Sequence, residues 1–320
     1  MKNIIIIGVS KAGRLHLQSY NKLKEKGEIF LVDNQKEDND LKIYKTIEEV
    51  LNEKKLDSND VVVDICTPKE VFYQIIDECI NLNIKNILVE KPFILKKELL
   101  EKHKDLKIIM IQNYLYSKIV EDMKKYILEN KLEVKAIYTN FSKNRIQESI
   151  KGRGMANGKV TRNVEIEMPH QIYIANYLAG DYKEDNLLLL EEKDLCYENI
   201  VLPKHGYGKI ICKKDNIIVT HISDLTSNTV TRDVIVICSS NAIVKGEFLV
   251  YDKKFNLTKP GKMQVLKDGI KIFQKTYEKD DNIYECIKDA YKYFNSDNID
   301  KKYEERLIKF GTEFSKYIEV

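Results

Sequence analysis

The feature that most constrains this chain is an alternation sustained over its first 112 residues, in which short apolar runs take turns with stretches of helical periodicity. The runs lie at 3–8, 28–33, 60–66, 86–90 and 107–111, and the helical stretches near 12–26, 46–54, 69–82 and 96–104. A run that is apolar throughout suits a strand covered on both faces, and a helix between two such strands supplies the crossover that a parallel pair requires. The N-terminal part is therefore expected to be an α/β domain with a doubly wound parallel sheet.

The pattern changes after Gln112-Asn113. An amphipathic helix near 114–130 leads to an alternating strand over Val134–Ser142, then to a polar, glycine-containing segment, 143–162, read as a loop. Pro169 to Leu178 reads as a helix stopped by Gly180. Strands follow near 186–191, 196–202, 207–213, 216–223, 231–238, 241–250 and 262–266, and helices near 282–295 and 299–318 close the chain. Successive strands with short connections make an antiparallel sheet. The expected division is a nucleotide-binding domain over 1–113 and an α+β domain over 114–320 with an open, mostly antiparallel sheet. Whether the last helices stay with the second domain or pack back on the first is open.

Composition narrows the function. A net charge of +3 in 320 residues gives no basic footprint for nucleic acid. The basic residues that do cluster, between 143 and 162, lack interleaved aromatics for stacking on bases. The six cysteines are scattered, with no CxxC pair and no histidine at ligand spacing, so no metal is expected and the thiols read as reduced. The opening apolar run is too short for a secretory signal, and no stretch reaches the roughly 18 apolar residues of a membrane span. A cytoplasmic protein with a small-molecule substrate is expected.

Gly8-Val9-Ser10-Lys11-Ala12-Gly13 follows the first run and opens the first helix. It keeps the first and third glycines of the dinucleotide fingerprint, with Ser10 at the second. Gly8 suits the tight turn, Gly13 the close approach of helix to strand, and the free N–H groups of the helix start suit a pyrophosphate. The second run ends in Asp33, twenty residues past Gly13, where a carboxylate holds the adenosine ribose hydroxyls. That charge repels a 2′-phosphate, so NAD is favoured, while nearby Lys36 leaves NADP open. The fold expected for this segment is the Rossmann fold.

Glu90-Lys91-Pro92 ends the fourth run, which places a lysine at the carboxyl end of a parallel strand, where such sheets bind ligands. An ammonium there can hydrogen-bond a substrate oxygen and stabilise charge as a carbonyl forms or is reduced. The set resembles the glucose–fructose oxidoreductase, inositol dehydrogenase and rhizopine-catabolism (Gfo/Idh/MocA) family. It comprises the Gly8/Gly13 turn with His16, Asp33, Cys66-Thr67-Pro68 after the third run, Glu90-Lys91-Pro92, and His170, Leu178 and Gly180. The resemblance implies that Gly8, Ser10, Lys11, Ala12, Gly13, Asp33, Cys66, Thr67, Pro68, Glu90 and Lys91 border the cofactor. It further implies that Lys91 also touches the reacting group, and that the second domain's sheet binds substrate and joins subunits into a homodimer or homotetramer. His16 reads as a packing residue.

The second domain departs from the family pattern. An Asp four residues before the histidine and an acid three after it are replaced by Ile166 and Tyr173. His170, in the first turn of a helix started by Pro169, remains a candidate acid or base and substrate contact, and Glu167 a candidate substitute acid. Lys143, Arg145, Lys151, Arg153, Lys159 and Arg162 share the preceding segment with one acid, Glu148. Arg145, Arg153 and Arg162 are candidate contacts for an anionic or sugar-like substrate, since guanidinium forks suit carboxylate and phosphate. The reading is an NAD(P)-dependent oxidoreductase of an alcohol, carbonyl or imine, with proton transfer open between Lys91 and His170. A non-catalytic NAD-binding regulator and a redox-neutral enzyme with permanently held NAD stay as alternatives.

Overall fold

The computed structural model describes residues 1–36, 38, 40–153, 155–156, 159–252, 256–296 and 300–319. Spatial proximity divides the chain into two compact units, Met1–Asn113 with Ile283–Thr312, and Tyr114–Asn282 with Glu313–Val320.

The first unit is built on β1 (Asn3–Ile7), β2 (Ile29–Val32), β3 (Ile43–Tyr44), β4 (Val61–Ile65), β5 (Asn86–Val89) and β6 (Lys107–Met110). They form a parallel sheet in the order β3-β2-β1-β4-β5-β6. Helices α1 (Lys11–Asn21), α2 (Ile47–Lys54), α3 (Phe72–Asn81) and α4 (Lys97–Lys102) make the crossovers. The apolar runs are apolar because both faces are covered: Ile4, Ile5, Ile6, Val61, Val62 and Val63 are all fully buried. Each such side chain contributes about 1.5–3 kcal/mol of transfer free energy. The strand order reverses between β1 and β4, so the crevice at their carboxyl ends is the binding place of this topology.

The second unit carries α5 (Lys118–Glu129), β7 (Val134–Ser142), α6 (Ile146–Glu148), β8 (Met155–Ala156), β9 (Lys159–Val160), α7 (Asn163–Ile166) and α8 (Met168–Ala179). The long strands β10 (Asp185–Tyr197) and β11 (Ile200–Lys214) follow, then β12 (Ile217–Asp224), β13 (Thr231–Cys238) and β14 (Ala242–Glu247). A small pair, β15 (Val250–Tyr251) and β16 (Leu257–Lys259), precedes β17 (Gly261–Lys267) and β18 (Ile270–Tyr277). Among the described residues the main sheet has eight strands in the order β10-β11-β12-β7-β13-β14-β17-β18, antiparallel except where β12 meets β7. One face buries Ile137, Phe141, Val219, Val234 and Val236, with α5 and α8 packed on it.

Several boundaries differ from the sequence reading. The run read at 196–202 straddles the turn between β10 and β11, and β10 continues unbroken from Asp185 to Tyr197. Register shifts at Leu187/Leu189 and Lys193/Leu195 disturb the alternation there, as bulges do. The segment read as a loop, 143–162, contains α6, β8 and β9. The first helix of the second unit starts at Lys118, because the Ser117 side chain accepts from the Ile119 N–H and caps it.

The closing helices are α9 (Asn282–Phe294) and α10 (Lys301–Ile318). Within the first unit, the Tyr291 hydroxyl donates to the Lys2 carbonyl at 2.5 Å and accepts from the Gly27 N–H at 3.1 Å. Among the described residues no helix is long and apolar enough to cross a membrane.

Candidate active site

The nucleotide turn has the geometry its glycines require. Gly8 sits at φ +92°, and a Cβ there would lie 2.9 Å from the Cys66 carbonyl oxygen. A Cβ on Gly13 would lie 2.1 Å from the Gly8 carbonyl oxygen, so only glycine lets α1 leave this close to β1. Ser10 is the N-cap of α1 but makes no side-chain cap, and the first turn holds no acid. The helix start thus turns the positive end of the helix dipole toward an anion.

Asp33 closes the other side of the turn. Its Oδ2 accepts the Val9 N–H at 2.9 Å, and its Oδ1 accepts the amides of Gln35 and Lys36 at 3.0 Å each. Partial burial opposes the charge, but these three donors, with Lys36 nearby, hold the carboxyl below its usual range. Lys36 Nζ donates to the Val9 carbonyl at 3.2 Å. Across the crevice, Thr67 Oγ1 is buried with no hydrogen-bond partner among the described residues. An uncapped helix start, a charged acid at the end of β2 and an orphaned hydroxyl beside Gly8 fit a dinucleotide.

Glu90-Lys91-Pro92 leaves the end of β5 with a cis Lys91–Pro92 peptide. Glu90 Oε2 accepts the Lys91 N–H at 3.1 Å, while Oε1 lies 3.1 Å from His16 Nε2. The other ring nitrogen of His16, Nδ1, lies 2.9 Å from Asp64 Oδ2 and 3.2 Å from Cys66 Sγ. Burial opposes a charge on the imidazole, but Asp64 and Cys66 raise its pKa well above the ordinary value. Burial likewise opposes the Glu90 charge, which the His16 hydrogen bond and charge, with Lys91, hold below the usual range. Burial pushes the Cys66 thiol far up, so it is no nucleophile at neutral pH. His16 is therefore more than the packing residue expected of it. The signal was present in β4, where Asp64 is the one acid in Val-Val-Val-Asp-Ile and needs a partner once buried.

In the second unit, α8 runs from Met168 to Ala179 with Pro169 in its first turn and Gly180 ending it at φ +82°. It holds His170 with Nδ1 2.8 Å from the Tyr173 hydroxyl, which also accepts the Tyr114 N–H at 3.3 Å. Tyr173, three residues past the histidine, thus supplies a hydroxyl where the family pattern has an acid. The Tyr114 ring stands edge-on to His170, centroids 5.2 Å apart, and its hydroxyl accepts from Arg232 Nη1 at 2.8 Å. Tyr114 and Arg232 were not singled out from the sequence, and Tyr173 was named only as the replacement for an acid. Arg232 lies in a run that reads only as strand, so no local pattern marks it.

The arginines differ in what they do. Arg145 is buried and paired with Glu167, Nη2 to Oε1 at 2.5 Å, so these two sequence-selected residues come together. Arg162 is committed inside its own unit. Its guanidinium donates to the Glu192 carboxylate and to the carbonyls of Tyr317 and Ile318, which removes it from the candidate anion contacts. The side chain of Arg153 lies outside the described residues.

Residues 2–108 match the model of an oxidoreductase family with an NAD-binding Rossmann fold, GFO_IDH_MocA. No curated protein matches the sequence. Among solved structures, the chain is similar to KijD10, a 3-ketoreductase from Actinomadura kijaniata in complex with NADP and TDP-benzene, at 12% identity and TM-score 0.75, covering 98% of this chain and 96% of that one. It is also similar to the dehydrogenase MviM from Clostridium difficile, at 17% identity and TM-score 0.71 over 99% of both chains. A third is the UDP-N-acetylglucosamine 3-dehydrogenase GnnA from Acidithiobacillus ferrooxidans, at 12% identity and TM-score 0.72, covering 99% and 96%. At these identities the likeness is one of fold.

Proposed function

Since residues 2–108 match the model of the GFO_IDH_MocA oxidoreductase family with its NAD-binding Rossmann fold, we propose that this chain is an NAD(P)-dependent dehydrogenase or reductase of a sugar alcohol or ketone carried on a nucleotide. The observation that carries the reading is that Lys91 follows the carboxyl end of β5, at the same end of the parallel sheet as the Gly8–Gly13 turn after β1, with its backbone N–H accepted by Glu90. The nucleotide-sugar class rests on the fold likeness to a TDP-ligand complex and a UDP-sugar dehydrogenase.

Gly8, Ser10, Lys11, Ala12 and Gly13 hold the pyrophosphate, Asp33 the adenosine ribose, and Cys66, Thr67 and Pro68 border the nicotinamide ribose. The bound nicotinamide supplies or accepts the hydride. Lys91 donates a hydrogen bond to the substrate oxygen; in reduction its ammonium passes a proton to the forming alkoxide, and in oxidation its amine takes the hydroxyl proton. His170, held by Tyr173 and packed on Tyr114, contacts the sugar and is the second candidate for proton transfer. Arg145 is paired with Glu167 and is assigned no direct substrate contact, and Arg153 remains a candidate phosphate contact. NAD is the preferred cofactor, on the Asp33 charge.

The protein works as a homo-oligomer joined through the outer face of its large sheet, where Ile218 and Ile237 are 39% and 45% exposed. We place it in a reducing cytoplasm, since its six cysteines are all unpaired. Incubation with NAD⁺ or NADPH and a panel of UDP- and TDP-linked sugars tests the activity. Nicotinamide turnover with any of them supports the reading, and a full panel without turnover counts against it.

A further inference from the structure

The proton and hydride steps make no use of His16 or Asp64, yet both are fully buried, at 1% and 0% exposure. The ring of His16 has a carboxylate at each nitrogen, Asp64 Oδ2 at 2.9 Å from Nδ1 and Glu90 Oε1 at 3.1 Å from Nε2. Each contact needs a proton on nitrogen, so the ring carries two and is a cation between two anions. Cys66 also lies against the ring, and Tyr20 and Cys286 are near it; none of the three supplies a charge at neutral pH.

Such a buried triad is a poor way to gain stability, because well-packed apolar residues of similar volume do as well or better. What it does instead is fix Glu90. With one carboxylate oxygen held by His16, the other is aimed at the Lys91 N–H. One side chain thereby ties α1, which carries the nucleotide turn, to the residue that leaves β5 toward the substrate. We propose that His16, anchored by Asp64, is a positioning residue for Lys91, acting through Glu90 on the backbone from which the lysine side chain departs. The proposal rests on the reading of Lys91 as the proton donor.

The test uses the doubly apolar variant H16L/D64L, which removes both buried charges and so keeps a foldable core, alongside His16→Gln, whose amide nitrogen can still donate to Glu90. Amide hydrogen exchange of the cofactor-free protein is read at Lys91. The expected result is exchange about tenfold faster in H16L/D64L, with the amides of Ile5 and Val63 unchanged, and near wild-type protection in His16→Gln. In turnover of an active nucleotide sugar, kcat should fall about tenfold or more in H16L/D64L while KM for the nicotinamide cofactor stays within about threefold. Unchanged exchange at Lys91 overturns the proposal. Faster exchange with unchanged kcat overturns its catalytic consequence, and if Lys91→Ala is then fully active as well, it is the role of Lys91 that has failed.

Discussion

Arg145 and Glu167 form an ion pair at 2.5 Å with side chains only 8% and 6% exposed. The two were candidates for separate tasks, anion contact and substitute acid, and the fold uses each to hold the other. Removing the carboxylate takes this ion pair away from a buried guanidinium. Glu167→Ala should therefore cost about 3–5 kcal/mol, seen as a lower urea midpoint, while replacing both residues by apolar ones should cost less. A loss in the double variant equal to the sum of the Glu167→Ala and Arg145→Ala losses would show that the pair is not coupled.

Cofactor choice is set at Asp33. Its carboxylate accepts three backbone amides and still has lone-pair capacity for a ribose hydroxyl. Asp33→Asn should weaken NADH binding about tenfold and change NADPH binding little, so the preference moves toward NADPH. Titrations followed by nicotinamide fluorescence give both constants. A parallel loss for the two cofactors would assign Asp33 to the turn alone.

Two buried histidines respond to pH in opposite senses. The Thr139 hydroxyl donates to Gln171 Oε1 at 2.7 Å and so accepts from His221 Nδ1 at 2.7 Å, which puts a proton on Nδ1. Burial, with Lys214 nearby, pushes its pKa down to about 3. The unfolded chain takes up a proton near pH 6.5 that the folded chain refuses, so this residue destabilises the fold as pH falls from 6.5 toward 3. His16 is raised instead, so its contribution is complete below the unfolded value and fades as pH rises through the folded one. Replacing His221 by Asn, which keeps the donor to Thr139, should remove about 2 kcal/mol of the stability difference between pH 6.5 and pH 5 in urea unfolding. An identical pH dependence in the variant would mean that His221 takes up its proton in the fold as readily as in the unfolded chain.

Much of the nucleotide-binding unit was legible because its signals are local. Five apolar runs, two glycines and an acid at a strand end name their own structural tasks, and the observed strands fall within those runs; only the two-residue β3 went unread. The second unit was less legible for the same physical reason. The bulges of β10 hide its length, and β18 went unread, being exposed along all but its last residue. His16, Tyr114 and Arg232 owe their settings to contacts across 48, 59 and 118 positions of chain, which no window of sequence contains.

The proposed reaction depends on Lys91. Its most direct test is nicotinamide turnover by Lys91→Ala beside the wild type, with NAD⁺ or NADPH and the UDP- and TDP-linked sugars, and with cofactor affinity measured on both proteins. The wild type should turn over at least one sugar, and the variant should lose kcat by about a thousandfold or more with cofactor affinity kept within about threefold. A variant that turns over as fast as the wild type would contradict that dependence on Lys91.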